Sequence, residues 1–237
     1  MKVAVLTTET THHAYFVREL ARAADVEQVI VERRSAAAPF PTHHPFENER
    51  DAHESRTWFD GERAAIRDIA PTLEVDGVNA PEAVAALDGL RPQVVFVFGT
   101  GRLLPEVIRA CPNGLVNLHG GDPEEYRGLD SHLWAIYHRD FSGLVTTLHR
   151  VNEELDDGEI VLQAAIPLRR EMPLCELRQR NTEVCVNLAV LALDMHARHG
   201  EFLSRPQGRR GRYYSFMPAV LKEVCRERFE SYTSRLE

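Results

Sequence analysis

Residues 93–98 read QVVFVF, and after Gln93 no polar side chain interrupts the run. Successive side chains of a strand face opposite ways, so a run without a polar position has no face to give to water. Such a strand belongs inside a parallel sheet that helices cover on both sides. The rest of the chain supplies the partners this requires. Residues 2–7 (KVAVLT) form a β-branched run, followed by a helix-like segment over 13–24 and a second strand over 26–33. The charged stretch 51–70 is expected to form an exposed helix, and Pro81 opens another over 82–90. A helix over 105–110, a strand over 114–119 and two later strands over 144–151 and 159–168 follow. Behind Pro173 a long helix runs to His199, with Leu174, Leu177, Val184, Leu188, Leu191 and Met195 as its core stripe and Gly200 as its stop. This alternation predicts an α/β fold: a Rossmann-like, doubly wound, mainly parallel sheet with ligands beyond the carboxyl ends of its strands.

The loop after the first strand narrows the chemistry. A dinucleotide pyrophosphate needs glycines there so that backbone amides can approach it, and residues 7–13 read TTETTHH. Lys+Arg 28 against Asp+Glu 36 gives a net charge of -8, which disfavours a protein that wraps nucleic acid. The longest apolar runs, 94–98 and 188–193, fall far short of the roughly 20 residues that cross a bilayer. Residues 1–8 read as a strand rather than a secretion signal, so no membrane partner and a cytoplasmic location are expected. Cys111, Cys175, Cys185 and Cys225 are irregularly spaced and read as reduced packing residues. His12-His13 and His43-His44 suggest no metal site, since neighbours on an extended segment point apart and no third ligand accompanies them.

Within residues 114–119 (GLVNLH) a period of two puts Val116 and Leu118 on one face and Asn117 and His119 on the other, with His119 at the carboxyl end. An amide and an imidazole therefore face the ligand region together, and Gly120 and Gly121 let the backbone turn sharply behind them. Further on, residues 146–151 (TTLHRV) lead into the acidic turn 152–158, and a strand resumes after Gly158 as a hairpin-like unit. Taken alone, each half also fits a plain strand end or a solvated turn. Combined with Tyr126-Arg127-Gly128, Trp134-Ala135-Ile136, Thr147-x-His149 and Leu155-Asp156-x-Gly158-x-Ile160, their order and spacing resemble the 10-formyltetrahydrofolate-dependent formyltransferase family, over about residues 93–165.

The resemblance implies an enzyme that moves a formyl group from 10-formyltetrahydrofolate to a primary amine, with Asn117, His119 and Asp156 as the catalytic set. The residue types suit that chemistry. Donors from Asn117 and His119 stabilise the oxyanion that develops as the amine attacks. Asp156 either accepts the amine's proton, directly or through water, or holds His119 in its charged form. The resemblance also implies a folate seated against Phe98, Gly99, Thr100, Gly101, Leu103, Leu104, Val151, Glu154 and Leu155, with main-chain recognition accounting for the small side chains, and His149 supporting the Asp loop. The acceptor is expected beside Thr10, His12, His13, Gly120, Gly121, Asp122, Tyr126 and Arg127, with no metal.

Where relatives carry Ser two residues after the catalytic His, followed by Leu-Pro, this chain reads Gly120-Gly121-Asp122-Pro123, so no serine role is carried over. The absence of a glycine-rich first turn disfavours glycinamide ribonucleotide as acceptor. The organisation expected is a catalytic domain over 1–200, then a basic linker and C-terminal helix over 201–237, which is short for a tRNA-binding domain. A small amine, foremost a nucleotide-linked amino sugar, is therefore the expected substrate. Hydrolysis of the formyl donor, or folate binding without catalysis, are the alternatives. Arg205, Arg209, Arg210 and Arg212 read as a solvated linker or as contacts to a diphosphate. The final helix over 221–236 presents Leu221, Phe229 and Tyr232 either to its own core or to a homodimer partner.

Overall fold

The computed structural model describes residues 1–33 and 37–237. The apolar run forms β4 (Val94–Phe98), buried throughout, between parallel β1 (Val3–Thr8) and β5 (Leu115–His119). With β2 (Val26–Glu32), β3 (Thr72–Val75), β7 (Val145–Arg150) and β8 (Ile160–Ala165), they make a seven-stranded sheet of order β3-β2-β1-β4-β5-β7-β8. The pairings from β3 to β5 are parallel; β7 runs antiparallel to both β5 and β8. The period of two sorts the core. Val3, Val5, Val94, Phe96, Val116 and Leu118 meet α1 (Thr11–Ala23) and α6 (Leu177–His199) through Phe16, Leu20, Val184 and Leu188. Ala4, Leu6, Val95, Val97 and Leu115 meet α3 (Pro81–Leu90) and α4 (Pro105–Ala110) on the opposite face. Strand order reverses between β1 and β4, so a crevice opens at their carboxyl ends.

Three expectations change. The helix read over 51–70 is α2 (Pro45–Phe59), because Pro45 starts it, His44 and Glu47 cap it reciprocally, and the left-handed Asp60 stops it; Ile66–Asp68 is a separate 3-10 turn. In α6 the buried stripe runs through Val184, Cys185, Leu188, Ala189 and Ala192, which leaves Leu191 56% exposed. Helix α1 begins at Thr11 with Thr10 as its N-cap, so His12 and His13 share a helical turn, their ring centroids 3.9 Å apart.

A third apolar cluster gathers Phe46, Tyr126, Ile136, Leu174, Leu177, Met217, Cys225 and Phe229 around α5 (Ser131–Tyr137) and α7 (Ala219–Thr233). Phe229 is fully buried and Tyr232 stacks on Phe141 at 3.8 Å. The chain's own core thus covers the face for which a homodimer was the other candidate. The basic segment is seated too: the Arg205 backbone bonds Ile160 at 2.8 and 2.9 Å, and β9 (Arg212–Tyr214) pairs with β6 (Tyr126–Gly128). Among the described residues no helix is long and apolar enough to cross a membrane.

Candidate active site

Register brings Asn117 and His149 together. They are cross-strand partners in the antiparallel β5–β7 pair, and Asn117 Nδ2 lies 3.0 Å from His149 Nε2. His149 Nδ1 donates to the Arg150 carbonyl at 2.8 Å, so Nε2 accepts from the Asn117 amide. His119 is locked in the same manner, its Nε2 donating to the Tyr126 carbonyl at 2.7 Å. That leaves Nδ1 facing Asp156, 3.7 Å from Oδ1. The carboxylate stands between the two rings, 3.4 Å from His149 Nε2, and its Oδ2 accepts the Gly128 N–H at 2.8 Å. Asp156 adopts a left-handed backbone (φ 50°). Its turn closes tightly: a Cβ on Gly158 would lie 1.7 Å from the Arg150 carbonyl oxygen, so only glycine fits there. Burial pushes the Asp156 carboxyl up, but the neighbouring His119 and His149 rings and the Gly128 N–H outweigh it and hold the group well below the usual carboxylate range.

These groups line a cavity of about 500 Å³. Phe98, Gly99, Thr100, Gly101, Leu103, Val151, Glu154 and Leu155 also line it, as do His12, His13 and Gly120. Leu104 does not: it is exposed, its N–H held by Asn79 Oδ1 at 2.8 Å, and it caps α4. The remaining acceptor candidates lie outside the wall for identifiable reasons. Thr10 caps α1, and Asp122 accepts the Glu124 N–H at 3.0 Å. Tyr126 is engaged through its carbonyl by His119 and through its hydroxyl by Asp140 at 3.1 Å. Arg127 Nε donates to the Leu155 carbonyl at 2.9 Å and steadies the Asp156 turn. Gly121 supports the site from behind: a Cβ there would stand 2.8 Å from Ser131 Cβ and 3.0 Å from His119 Nε2, which gives the Gly-for-Ser departure a packing cause. The smallness of Gly99 likewise answers to protein packing, since its φ is +80° and a Cβ would meet His13 Nε2 at 2.4 Å.

Sequence reading missed Arg50, His132, Arg178 and Asn181, which also line the cavity. His132 Nε2 donates to the Val145 carbonyl at 2.7 Å, and burial lowers its pKa to about 4, so a neutral ring faces the cavity. Asn181 Oδ1 accepts from Thr146 at 2.7 Å. A helix start at Pro45 was legible from Pro45 and Glu47; the convergence of α2 with α6 had no local signature.

The sequence matches the Formyl transferase family over residues 1–193. The chain belongs to that family. Among its relatives, the methionyl-tRNA formyltransferase of Porphyromonas gingivalis is 33% identical over 161 residues, 66% of this chain and 48% of that protein. This formyl transferase family member thus spans about half the length of the curated relatives it matches. Solved structures share its fold, two of them as follows. The formyltransferase PseJ of Anoxybacillus kamchatkensis, in complex with UDP-4,6-dideoxy-4-formamido-L-AltNAc and tetrahydrofolate, superposes with a TM-score of 0.56 at 15% identity, covering 91% of this chain and 86% of that one. Glycinamide ribonucleotide transformylase 1 of Symbiobacterium toebii gives 0.61 at 20% identity, covering 87% and 93%.

Proposed function

We propose that the protein is an N-formyltransferase that takes the formyl group of 10-formyltetrahydrofolate to the primary amine of a small molecule, foremost a nucleotide-linked amino sugar. One observation carries this reading: Asn117, His119 and Asp156 meet at one end of β5, on the wall of a single cavity that the 98–103 loop also lines. Residues at that loop fit a flat heterocyclic donor, because Val97, Leu103, Val151 and Leu155 supply apolar walls beside exposed main chain. Bound there, the donor supplies an activated formyl carbon.

The chain's own groups do the rest. Asn117 is oriented by His149, so its second amide N–H remains for the oxyanion that develops on the formyl oxygen. His119 is fixed by the Tyr126 carbonyl and Asp156, and is presented to the same centre. Asp156, ionised at neutral pH, takes the attacking amine's proton or stabilises positive charge on His119. As the new N–C bond forms, the bond from the donor nitrogen to the formyl carbon breaks, and that nitrogen gains a proton. The PseJ complex supports an amino-sugar nucleotide as the first acceptor to try.

The test is incubation with 10-formyltetrahydrofolate and a panel of amines, read by mass spectrometry as the gain of one CO. The expected outcome is a formylated product from at least one amine, with Asp156→Asn slowing transfer by about 10²–10⁴-fold. Formate release at the same rate with and without amine would point to hydrolysis instead. No product and no tetrahydrofolate binding would overturn the reading.

A further inference from the structure

Two guanidinium groups line the same cavity. Arg50 on α2 and Arg178 on α6 both bond Asp51 Oδ1, at 3.1 and 2.6 Å, which holds their head groups side by side. Arg178 is further clamped by Glu54, at 2.7 and 2.6 Å, and Arg50 reaches Glu47 at 3.4 Å. Arg50 and Arg178 line the cavity, whereas Glu47, Asp51 and Glu54 do not, so the balancing carboxylates stand behind the cations. Each guanidinium keeps one terminal nitrogen, Arg50 Nη2 and Arg178 Nη1, without a protein hydrogen bond among the described residues. Burial, then Arg178, pushes Arg50 below its ordinary pKa, in keeping with two like charges held close in a sheltered place.

His12 completes the corner. Thr10 Oγ1 accepts the His13 N–H at 3.4 Å and lies 2.9 Å from Nδ1 of both His12 and His13, which holds the His12 ring by its Nδ1 edge. Its other nitrogen, Nε2, has no hydrogen-bond partner among the described residues and is left for a ligand. Burial, His13, Arg178 and Arg50, in that order, hold His12 neutral. Asp130 also lines the cavity, but its Oδ2 accepts the Met217 N–H at 2.8 Å and burial raises its pKa. The corner therefore offers one free terminal nitrogen from each guanidinium and an imidazole nitrogen, with the balancing carboxylates outside the cavity lining.

We infer that Arg50, Arg178 and His12 bind an oxyanion of the acceptor, a carboxylate or a phosphate, and so select amines that carry one. This rests on the proposed formyl transfer for the word acceptor, while the anion site itself is a separate claim. Two guanidiniums meet such a group with paired, charge-assisted hydrogen bonds.

Calorimetric titration of inorganic phosphate and of acetate into the protein and into Arg50→Gln reads the corner directly. Glu47 retains Lys222 at 3.1 Å, so the substitution orphans no buried carboxylate, and circular dichroism checks the fold. The expected result is binding of at least one anion by the wild type, weakened about ten-fold or more in Arg50→Gln and partly restored in Arg50→Lys. Equal binding in both proteins, or none in either, overturns the inference.

In transfer assays, matched amines bearing a phosphate, a carboxylate or neither distinguish the source of the anion. The charged members are expected to show the lower KM, and Arg50→Gln to remove that advantage while tetrahydrofolate affinity stays unchanged. A variant that weakens tetrahydrofolate and leaves the amines alone would assign the corner to the donor's glutamate and overturn the inference. Anion binding as expected with no transfer to any amine would count against formyl transfer and for the anion site.

Discussion

Three histidines show how burial sets chemistry one residue at a time. Burial lowers His13 to about 3 and His132 to about 4, and it takes His12 well below its usual range. All three are neutral in the fold, whereas in the unfolded chain each gains a proton below about pH 6.5. The unfolded state therefore binds more protons in that window, and stability falls as pH drops from about 6.5 towards 4. Asp156 does not offset this, because its depressed pKa adds stability that is lost only below the ordinary carboxylate range, near 4. Urea midpoints are expected to fall from about pH 7 to about pH 5, the unfolding free energy dropping by of order 1 kcal/mol per pH unit below about pH 6.5 for each histidine. His132→Gln should flatten the slope. A midpoint independent of pH over that range would show that these imidazoles are not buried neutral.

At the scale of elements, the segment after α6 acts as a strap. Gln207 Nε2 donates to the carbonyls of Asp156 and Gly158 at 3.0 and 2.9 Å, Arg210 pairs with Glu154 at 2.9 Å, and Arg205 pairs with Glu124 at 2.7 Å. Stretches on both sides of the candidate centre, 122–126 and 154–158, are thereby tied to one piece of chain. Gln207→Ala should let the Asp156 turn shift, and a misplacement of about 1 Å costs up to about 10² in rate. The expected signature is a fall in kcat with acceptor KM unchanged, measured in the transfer assay; unchanged kcat would return this segment to the solvated linker that its composition suggests. Arg205, Arg209 and Arg210 have acidic partners within the chain, so three of the four arginines of the diphosphate reading are already paired.

At the scale of the whole molecule, α7 closes a core that α5, α2 and the 172–177 stretch begin. Lys222 reaches Glu47 on α2 at 3.1 Å, Cys225 donates to the Leu133 carbonyl at 3.2 Å, and Thr233 donates to the Met172 carbonyl at 2.9 Å. A chain cut after Gly200 would uncover Ile136, Met172, Leu174 and Leu177 together. It is expected to lose cooperative unfolding or to aggregate, and Phe229→Ala in the full chain to cost about 3–5 kcal/mol. Both are read by chemical denaturation; a stable fragment over residues 1–200 would show that the division read from composition is also a physical one.

Much of this was legible in the residues themselves. The apolar run at β4, the alternation of strand and helix, and the two-residue period of Leu115–His119 are local properties, because strand periodicity and burial act on neighbours in sequence. They determined the fold class and put Asn117 and His119 on one face. Spaced motifs added Asp156 through resemblance. Only the tertiary structure decided what each of these meets: His149 against Asn117 across a strand pair, Ser131 against Gly121, the strap against the Asp156 turn. Arg50 and Arg178 are 128 positions apart by their numbers and share a cavity wall solely because α2 packs over the start of α6. Local pattern is written in the order of the chain, whereas convergence depends on packing between elements that no local pattern records.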